Sequence, residues 1–418
     1  MTTPLVFKLP SYSLDISKYK SDILITKRIN EPLMSYGFHY FVNRTKDYMK
    51  ITDNLETKNE FYYVVNPFEE NINNYEKDIN TLSKDFLKKN EPDIQNREFY
   101  KIWEILSMFD VAKNNTSAVI SDNPTSIIQA ILKYRQKYFN STNDTIYSVS
   151  NHEKTKEQKK FMGYYKDSVK PHKTYAKSTS KRYKGKDTGN IKEVKTITNF
   201  KNSIDKVDLV IGGTDMKFTN RLYMEQEAYD LIFAEIISAL RVQKDGGNFV
   251  LRMFSTMTEL SNKFLLILCS VYSEVYVYKP FTSRLSDDEK YIICKGFKSG
   301  NVTKIIDNME KVLSQMNTDN FVNDIYTELE LPTDFKNTMV YTNIMIGNHQ
   351  QIMINKIVNY IKSNNYFGED YHNYREEQIK ANNFWTDTFF SDKINNSIIM
   401  DRVKYNESEI KLFMENLQ

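Results

Sequence analysis

The chain holds 418 residues, 40% hydrophobic and 13% aromatic, with 57 Lys and Arg against 54 Asp and Glu. That apolar content excludes a wholly disordered protein, and a net charge of +3 excludes a uniformly basic nucleic-acid coat while leaving room for a local basic patch. Two cysteines, Cys269 and Cys294, in apolar contexts and five scattered histidines match no zinc cluster of familiar spacing, so free thiols in a reducing compartment and no bound metal are expected.

No apolar run of about 18 residues and no signal peptide is visible, so the expectation is a soluble, cytoplasmic protein without a membrane partner. Residues 1–92 form an N-terminal extension of mixed character: LVFKL and FYYVVNPF (Phe61 to Phe68) alternate like strands, and Tyr75 to Lys89 is patterned as an amphipathic helix. Asn96 to Phe109 predicts a helix with Phe99, Trp103, Ile105, Leu106 and Phe109 on one stripe. Lys101 falls off that stripe, where a lone lysine ordinarily meets solvent.

Ser117 to Ile120 predicts a strand, SDNPTS a turn, and Ile127 onward a helix. A strand–turn–helix of this kind is where α/β folds place a cofactor, although this turn offers Pro124, Thr125 and Ser126 instead of glycines. TIYSV (Thr145 to Val149) predicts a second strand. Between Lys154 and Lys186 twelve Lys or Arg stand against two acids, with five aromatic residues interleaved. Such a run suits either a solvated loop or a strip that neutralises phosphates and stacks bases, with Lys159, Lys160, Lys181, Arg182 and Lys184 as its candidate contacts.

VDLVI (Val207 to Ile211) predicts a third buried strand and Glu225 to Leu240 a helix. The stretch Asp245 to Phe297 predicts a Gly turn, a strand (Asn248 to Phe254), a helix (Thr256 to Tyr272), a strand (Glu274 to Tyr278), a loop and a last strand (Lys290 to Phe297). The alternation over residues 117–297 predicts a doubly wound α/β sheet. Arg252 stands inside an otherwise apolar strand, a costly place for a charge unless it is paired or functional. Residues 301–418 are patterned as helices.

These landmarks together resemble the FtsJ-like (RrmJ-type) methyltransferases, in particular the cap ribose 2′-O-methyltransferases of eukaryotes and large DNA viruses. KPFTSRLSDDEKYIICKGF (Lys279 to Phe297) is similar to the family's KP..SRP..SE.Y.VCKGF, and GGNFVLRMF to its GG.FVLK.F. GKDTGNI is similar to G.DGTGDI, PTSIIQAILKYR to PGGFIQA...YR, and Gln226-Glu227 to the QE that follows the catalytic Asp. The resemblance implies a Rossmann-like methyltransferase domain over residues 93–300, flanked by 1–92 and 301–418.

It further implies a Lys–Asp–Lys–Glu set acting on a ribose 2′-hydroxyl, with S-adenosylmethionine as methyl donor. By position that set falls on Lys101, on Gly213 or Thr214 with Asp215 the nearby carboxylate, on Arg252, and on Glu289. Ser121, Asp122, Pro124, Thr125, Ser126 and Asp187 fall at the cofactor, and Arg284 joins the RNA contacts. Arg252 replaces the second lysine, the presumed base; a guanidinium stays protonated and cannot take that proton. PTS in place of PGG adds side chains where the cofactor approaches backbone, and Thr125 is ill suited to positive φ. The expectation is therefore a catalytically impaired FtsJ-like chain that binds capped RNA or a protein partner such as a capping-enzyme subunit and needs no cofactor, in a viral factory or virion if viral. The alternative is an active 2′-O-methyltransferase using S-adenosylmethionine.

Overall fold

The computed structural model describes residues 4–28, 30, 32–33, 36–55, 61–69, 90–151, 154–175, 186–213, 216, 218–219, 223–300, 302–316, 320–394 and 397–416. Its strands are β1 (Leu5–Leu9), β2 (Ile23–Thr26), β3 (Thr116–Ile120), β4 (Thr145–Val149), β5 (Val169–Pro171), β6 (Val207–Gly212), β7 (Gln243–Met253), β8 (Tyr272–Lys279), β9 (Lys290–Phe297) and β10 (Phe321–Ile325). Eight of them form one sheet in the order β1-β8-β9-β7-β6-β3-β4-β5, while β2 and β10 pair separately. The run β7-β6-β3-β4-β5 is parallel, and β9, β8 and β1 add antiparallel partners at one side.

Apolar runs fill these strands because both faces are covered. Ala118, Ile120, Phe249, Leu251 and Ile292 look toward α7 (Tyr229–Val242), α8 (Glu259–Val271) and α9 (Val302–Gln315). Their neighbours Val119, Val250 and Ile293 look the other way, toward α2 (Glu98–Phe109), α3 (Thr125–Phe139), α11 (Glu369–Phe389) and α12 (Ser397–Glu415). The connecting helices α4 (Lys156–Tyr164), α5 (Val194–Ser203) and α6 (Met224–Glu227) complete the wound unit, so the fold is the expected doubly wound, Rossmann-like α/β sheet. A third cluster joins Met49 and Tyr62 to Val65 with Met353, Ile354 and Ile357 of α10 (Thr333–Ser363), beside α1 (Tyr36–Asp47).

LVFKL is the expected strand, and it pairs with β8 as an edge of the main sheet. Other expectations need correction. Phe61–Val65 is a 3-10 helix, because Tyr62, Tyr63, Val64 and Val65 are all buried and an alternating strand would turn half of them outward. The helix expected over Glu225–Leu240 breaks at Ala228 into α6 and α7. Lys101 is 6% exposed rather than solvated, since α2 lies between the sheet and α11 with eleven of its twelve residues buried. The helix patterned over Tyr75–Lys89 lies outside the described residues.

Candidate functional site

In a doubly wound sheet, ligands lie beyond the carboxyl ends of the strands where the strand order reverses, here between β3 and β6. A cavity of about 210 Å³ occupies that place, lined among others by Ser121 and Asp122 after β3, Ser150 and Asn151 after β4, and Gly189 to Lys192. Its backbone is held from within. Ser121 Oγ donates to the Gly213 carbonyl at 3.0 Å, and the Asn151 amide donates to Asp122 Oδ1 at 2.8 Å. Gly189 has φ +81, and a Cβ there would meet the Ser150 oxygen at 2.0 Å, so the loop closes only with glycine.

Of the residues expected at a cofactor, Ser121 and Asp122 line this cavity. Asp187 buttresses it, accepting from the Gly189 amide at 2.9 Å, Thr196 Oγ1 at 2.8 Å, Asn199 at 3.0 Å and His172 at 3.0 Å. Burial raises its pKa, but those hydrogen bonds outweigh burial and leave it below the ordinary carboxylate value. Pro124, Thr125 and Ser126 behave otherwise. They open α3 in helical conformation, with Thr125 and Ser126 buried and Thr125 Oγ1 donating to Gln95 at 2.8 Å. No positive φ is imposed on Thr125, so the conformational objection to this turn does not apply.

A larger cavity of about 600 Å³ adjoins the first and shares Met216 with it. Three of the four residues of the expected set meet here. Lys101 Nζ lies 2.7 Å from Glu289 Oε2 and 3.4 Å from Glu98 Oε2, and Arg252 Nε lies 2.6 Å from Glu289 Oε1. Ser283 Oγ adds a hydrogen bond to Glu289 at 2.9 Å. Burial would raise the Glu289 pKa, but Lys101 and Arg252 hold it well below the usual carboxylate range. The sequence brings these groups together through register: Arg252 faces Tyr291 across β7 and β9, placing Glu289 at the same strand mouth. Asp215 lies outside the described residues.

The RNA contacts divide. Lys159 and Lys160 are exposed on α4. Lys181, Arg182 and Lys184 lie outside the described residues. Arg284 lines the larger cavity, but its guanidinium is engaged: Nε and Nη2 each lie 2.9 Å from Glu69, and the group sits 3.7 Å over the Tyr63 ring. It clamps the loop after β8 to residues 61–69.

Sequence reasoning missed the charges beneath this loop. Lys279 Nζ donates to the Asp287 and Glu289 carbonyls at 2.7 Å, and Lys290 Nζ to the Phe254 carbonyl at 2.5 Å. Burial lowers both amines to about 8, against the pull of Asp287 and Glu289 on the first and of Asp288 on the second. Glu104, wholly buried in α2, accepts from the Phe281 and Thr282 amides, the Thr282 hydroxyl, Tyr278 and the Trp385 indole. The available signal was the charge itself, standing inside apolar strands and an apolar helix.

Residues 94–297 match the family model described as FtsJ-like methyltransferase. The chain carries an FtsJ-like methyltransferase domain. It is 29% identical over 156 residues to cap-specific mRNA (nucleoside-2′-O-)-methyltransferase 2 of Drosophila melanogaster, covering 35% of this chain and 22% of that protein. It is 22% identical over 158 residues to an inactive cap-specific mRNA (nucleoside-2′-O-)-methyltransferase 1B of Caenorhabditis briggsae, covering 36% and 19%. An uncharacterized protein, R383, of Acanthamoeba polyphaga mimivirus is 22% identical over 407 residues, covering 96% of this chain and 95% of that protein. The chain thus spans about a fifth of the two cap-specific relatives and nearly all of the viral one. Lys46, Met49, Tyr62 and Tyr63 before the FtsJ-like domain and Gln350 and Ile354 after it line the larger cavity, so that cavity is walled from both flanks.

Proposed function

We propose that the chain serves mRNA capping as an RNA-end or partner-binding subunit in which methyl transfer is impaired. The observation that carries this is Arg252, bound to Glu289 at the strand mouth where the FtsJ resemblance requires a second lysine. Ser121, Asp122 and the backbone at Asn151 and Gly189 fit the polar edge of a nucleoside, and Ile120, Val149, Ile191 and Leu231 its flat apolar face. S-adenosylmethionine bound there supplies a methyl group on a sulfonium. On the other side of Met216, Lys101 has an ammonium that donates and does not accept, and it is held by Glu289 and Glu98. The Arg252 guanidinium keeps its proton, and Glu289 is engaged through both oxygens. These three groups orient a ribose hydroxyl or a phosphate; none is placed to take the hydroxyl proton.

The deciding experiment supplies the full chain with S-adenosylmethionine and cap-terminated RNA. The expected outcome is RNA binding and no methyl transfer above background in the parent, with measurable transfer in Arg252→Lys. Efficient transfer by the parent, abolished in Lys101→Ala, overturns impairment and establishes the second reading, an active 2′-O-methyltransferase. That reading is favoured by one observation, the intact Lys101–Glu289 pair beside the cofactor-type cavity.

A further inference from the structure

A third cavity, of about 240 Å³, lies on the other side of the loop after β8 and, among the described residues, shares Arg284 alone with the larger one. Lys279 to Phe281 and Ser283 to Leu285 line it, while Ser286 to Glu289 line the larger cavity, so the loop is the wall between the two. Leu5 of β1, Asn66 to Phe68 and His349 of α10 close the remaining sides. Leu5, Asn66, Phe68, Lys279 and Ser283 are all buried, which makes this an enclosed chamber and not a surface patch. The donors of its lining are used. Lys279 Nζ is spent on the Asp287 and Glu289 carbonyls, the Arg284 guanidinium on Glu69, the Ser283 hydroxyl on Glu289 at 2.9 Å, and Asn66 Nδ2 on Glu69 at 3.3 Å. Two acceptors are not used. His349 Nδ1 lies 2.8 Å from the Met345 carbonyl, which only accepts, so the ring proton sits on Nδ1 and Nε2 keeps its lone pair. Asn66 Oδ1 is buried without a hydrogen-bond partner.

The rest of the lining is apolar: Leu5, Pro67, Phe68, Pro280, Phe281 and Leu285. Such a chamber suits an apolar ring that brings one N–H or O–H donor, and since Lys279 and Arg284 are both engaged, the ring is neutral. An apolar cavity of about 150 Å³ accepts benzene, so this volume admits a bicyclic ring. An occupant would act on the larger cavity through the shared wall. Ser283 holds Glu289, Arg284 ties the loop to Glu69, and Gln350, next to His349 on α10, donates to the Ser286 carbonyl at 2.9 Å. We propose that this chamber is an effector site for a small neutral aromatic molecule with one N–H or O–H donor, and that filling it fixes the loop that carries Glu289 on its far side. The site rests on neither reading of methyl transfer, because Ser283 and Arg284 hold the loop in the same way under both.

The test is calorimetric titration of the full chain with indole and with indene, the same bicycle without the N–H. Indole is expected to bind with a dissociation constant below about 1 mM, and about fivefold more tightly than indene, the worth of one neutral hydrogen bond. His349→Leu together with Asn66→Ser should bring the two probes within about twofold of each other. Pro67→Trp, which puts a ring into the chamber from its own wall, should abolish binding of both while the unfolding temperature stays at that of the parent. In hydrogen exchange, indole should slow the Ser283 and Asp287 amides, which donate within the loop to the Pro280 and Arg284 carbonyls at 3.1 Å. Binding of neither probe by the parent, equal binding of the two, a preference that survives the double substitution, or binding that persists in Pro67→Trp overturns the site. Binding without slower exchange at those two amides overturns its hold on the loop.

Discussion

Glu289 and Glu104 hold the same loop from its two ends, and both are buried carboxylates, yet they are used in opposite ways. Glu289 is surrounded by cations, Lys101 and Arg252, at the edge of the larger cavity. Glu104 is surrounded by neutral donors, two amides, two hydroxyls and an indole, with no exposure at all. Burial raises the Glu104 pKa above the ordinary value despite those bonds, whereas the two cations pull Glu289 below it. A carboxylate among fixed neutral donors makes a rigid joint. A carboxylate among cations that line a cavity makes a charge arrangement that a ligand can rearrange.

Removing the joint should do the most damage. Glu104→Ala orphans its donors and detaches Trp385, so a loss of about 3–5 kcal/mol in unfolding free energy is expected in denaturant titration. A loss below about 1 kcal/mol would show that the loop does not depend on it. Glu289→Ala should cost less, about 2–4 kcal/mol, because Lys101 and Arg252 can turn toward the water of the cavity. If it costs more than Glu104→Ala, the contrast between joint and movable charge fails.

Acid separates the two carboxylates by sign. The depressed Glu289 contributes stability that is fully present above the ordinary glutamate value near 4.3 and is lost as pH falls through its lower folded value. The raised Glu104 opposes this, its ionisation working against folding as pH rises through its higher folded value. Glu289→Gln should therefore flatten the fall of unfolding free energy below about pH 5, and Glu104→Gln should steepen it. Alkaline pH reads the buried lysines instead. Lys279 and Lys290 titrate near 8 in the folded chain, so stability should rise from there toward the free-lysine value near 10.4, where the unfolded chain binds more protons. Lys290→Met should remove part of that rise in unfolding followed against pH.

The sheet was legible because its strands are apolar on both faces and its landmarks are local. Thr145–Val149 and Lys290–Phe297 have the predicted bounds, and Val207 onward is longer by one residue. The site was legible only as residue types. That Lys101 is buried goes with Glu289, which meets its Nζ at 2.7 Å from 188 residues further along the chain. A stripe drawn on one helix cannot anticipate a second layer. The partner of Arg284 was hidden for a related reason: Glu69 lies outside the FtsJ-like match, one residue past the stretch Phe61 to Phe68 whose alternation suggested a strand. Thr125 misled through the turn, where a helical start at Pro124 replaces the glycine conformation.

The pairing of β1 with β8 has a consequence for the order in which the chain becomes a protein. Residues 5–9 leave the ribosome long before their strand partner, residues 275–279, and before their cover α12, where Asn406 donates to the Val6 carbonyl at 2.7 Å. Synthesis must pass some four hundred residues before that hydrogen bond can form. Contacts this distant in sequence are slow to find and costly in loop entropy. During that interval β1 is an unclaimed sheet-forming segment, LVFKL, with only Lys8 to discourage pairing with another nascent chain.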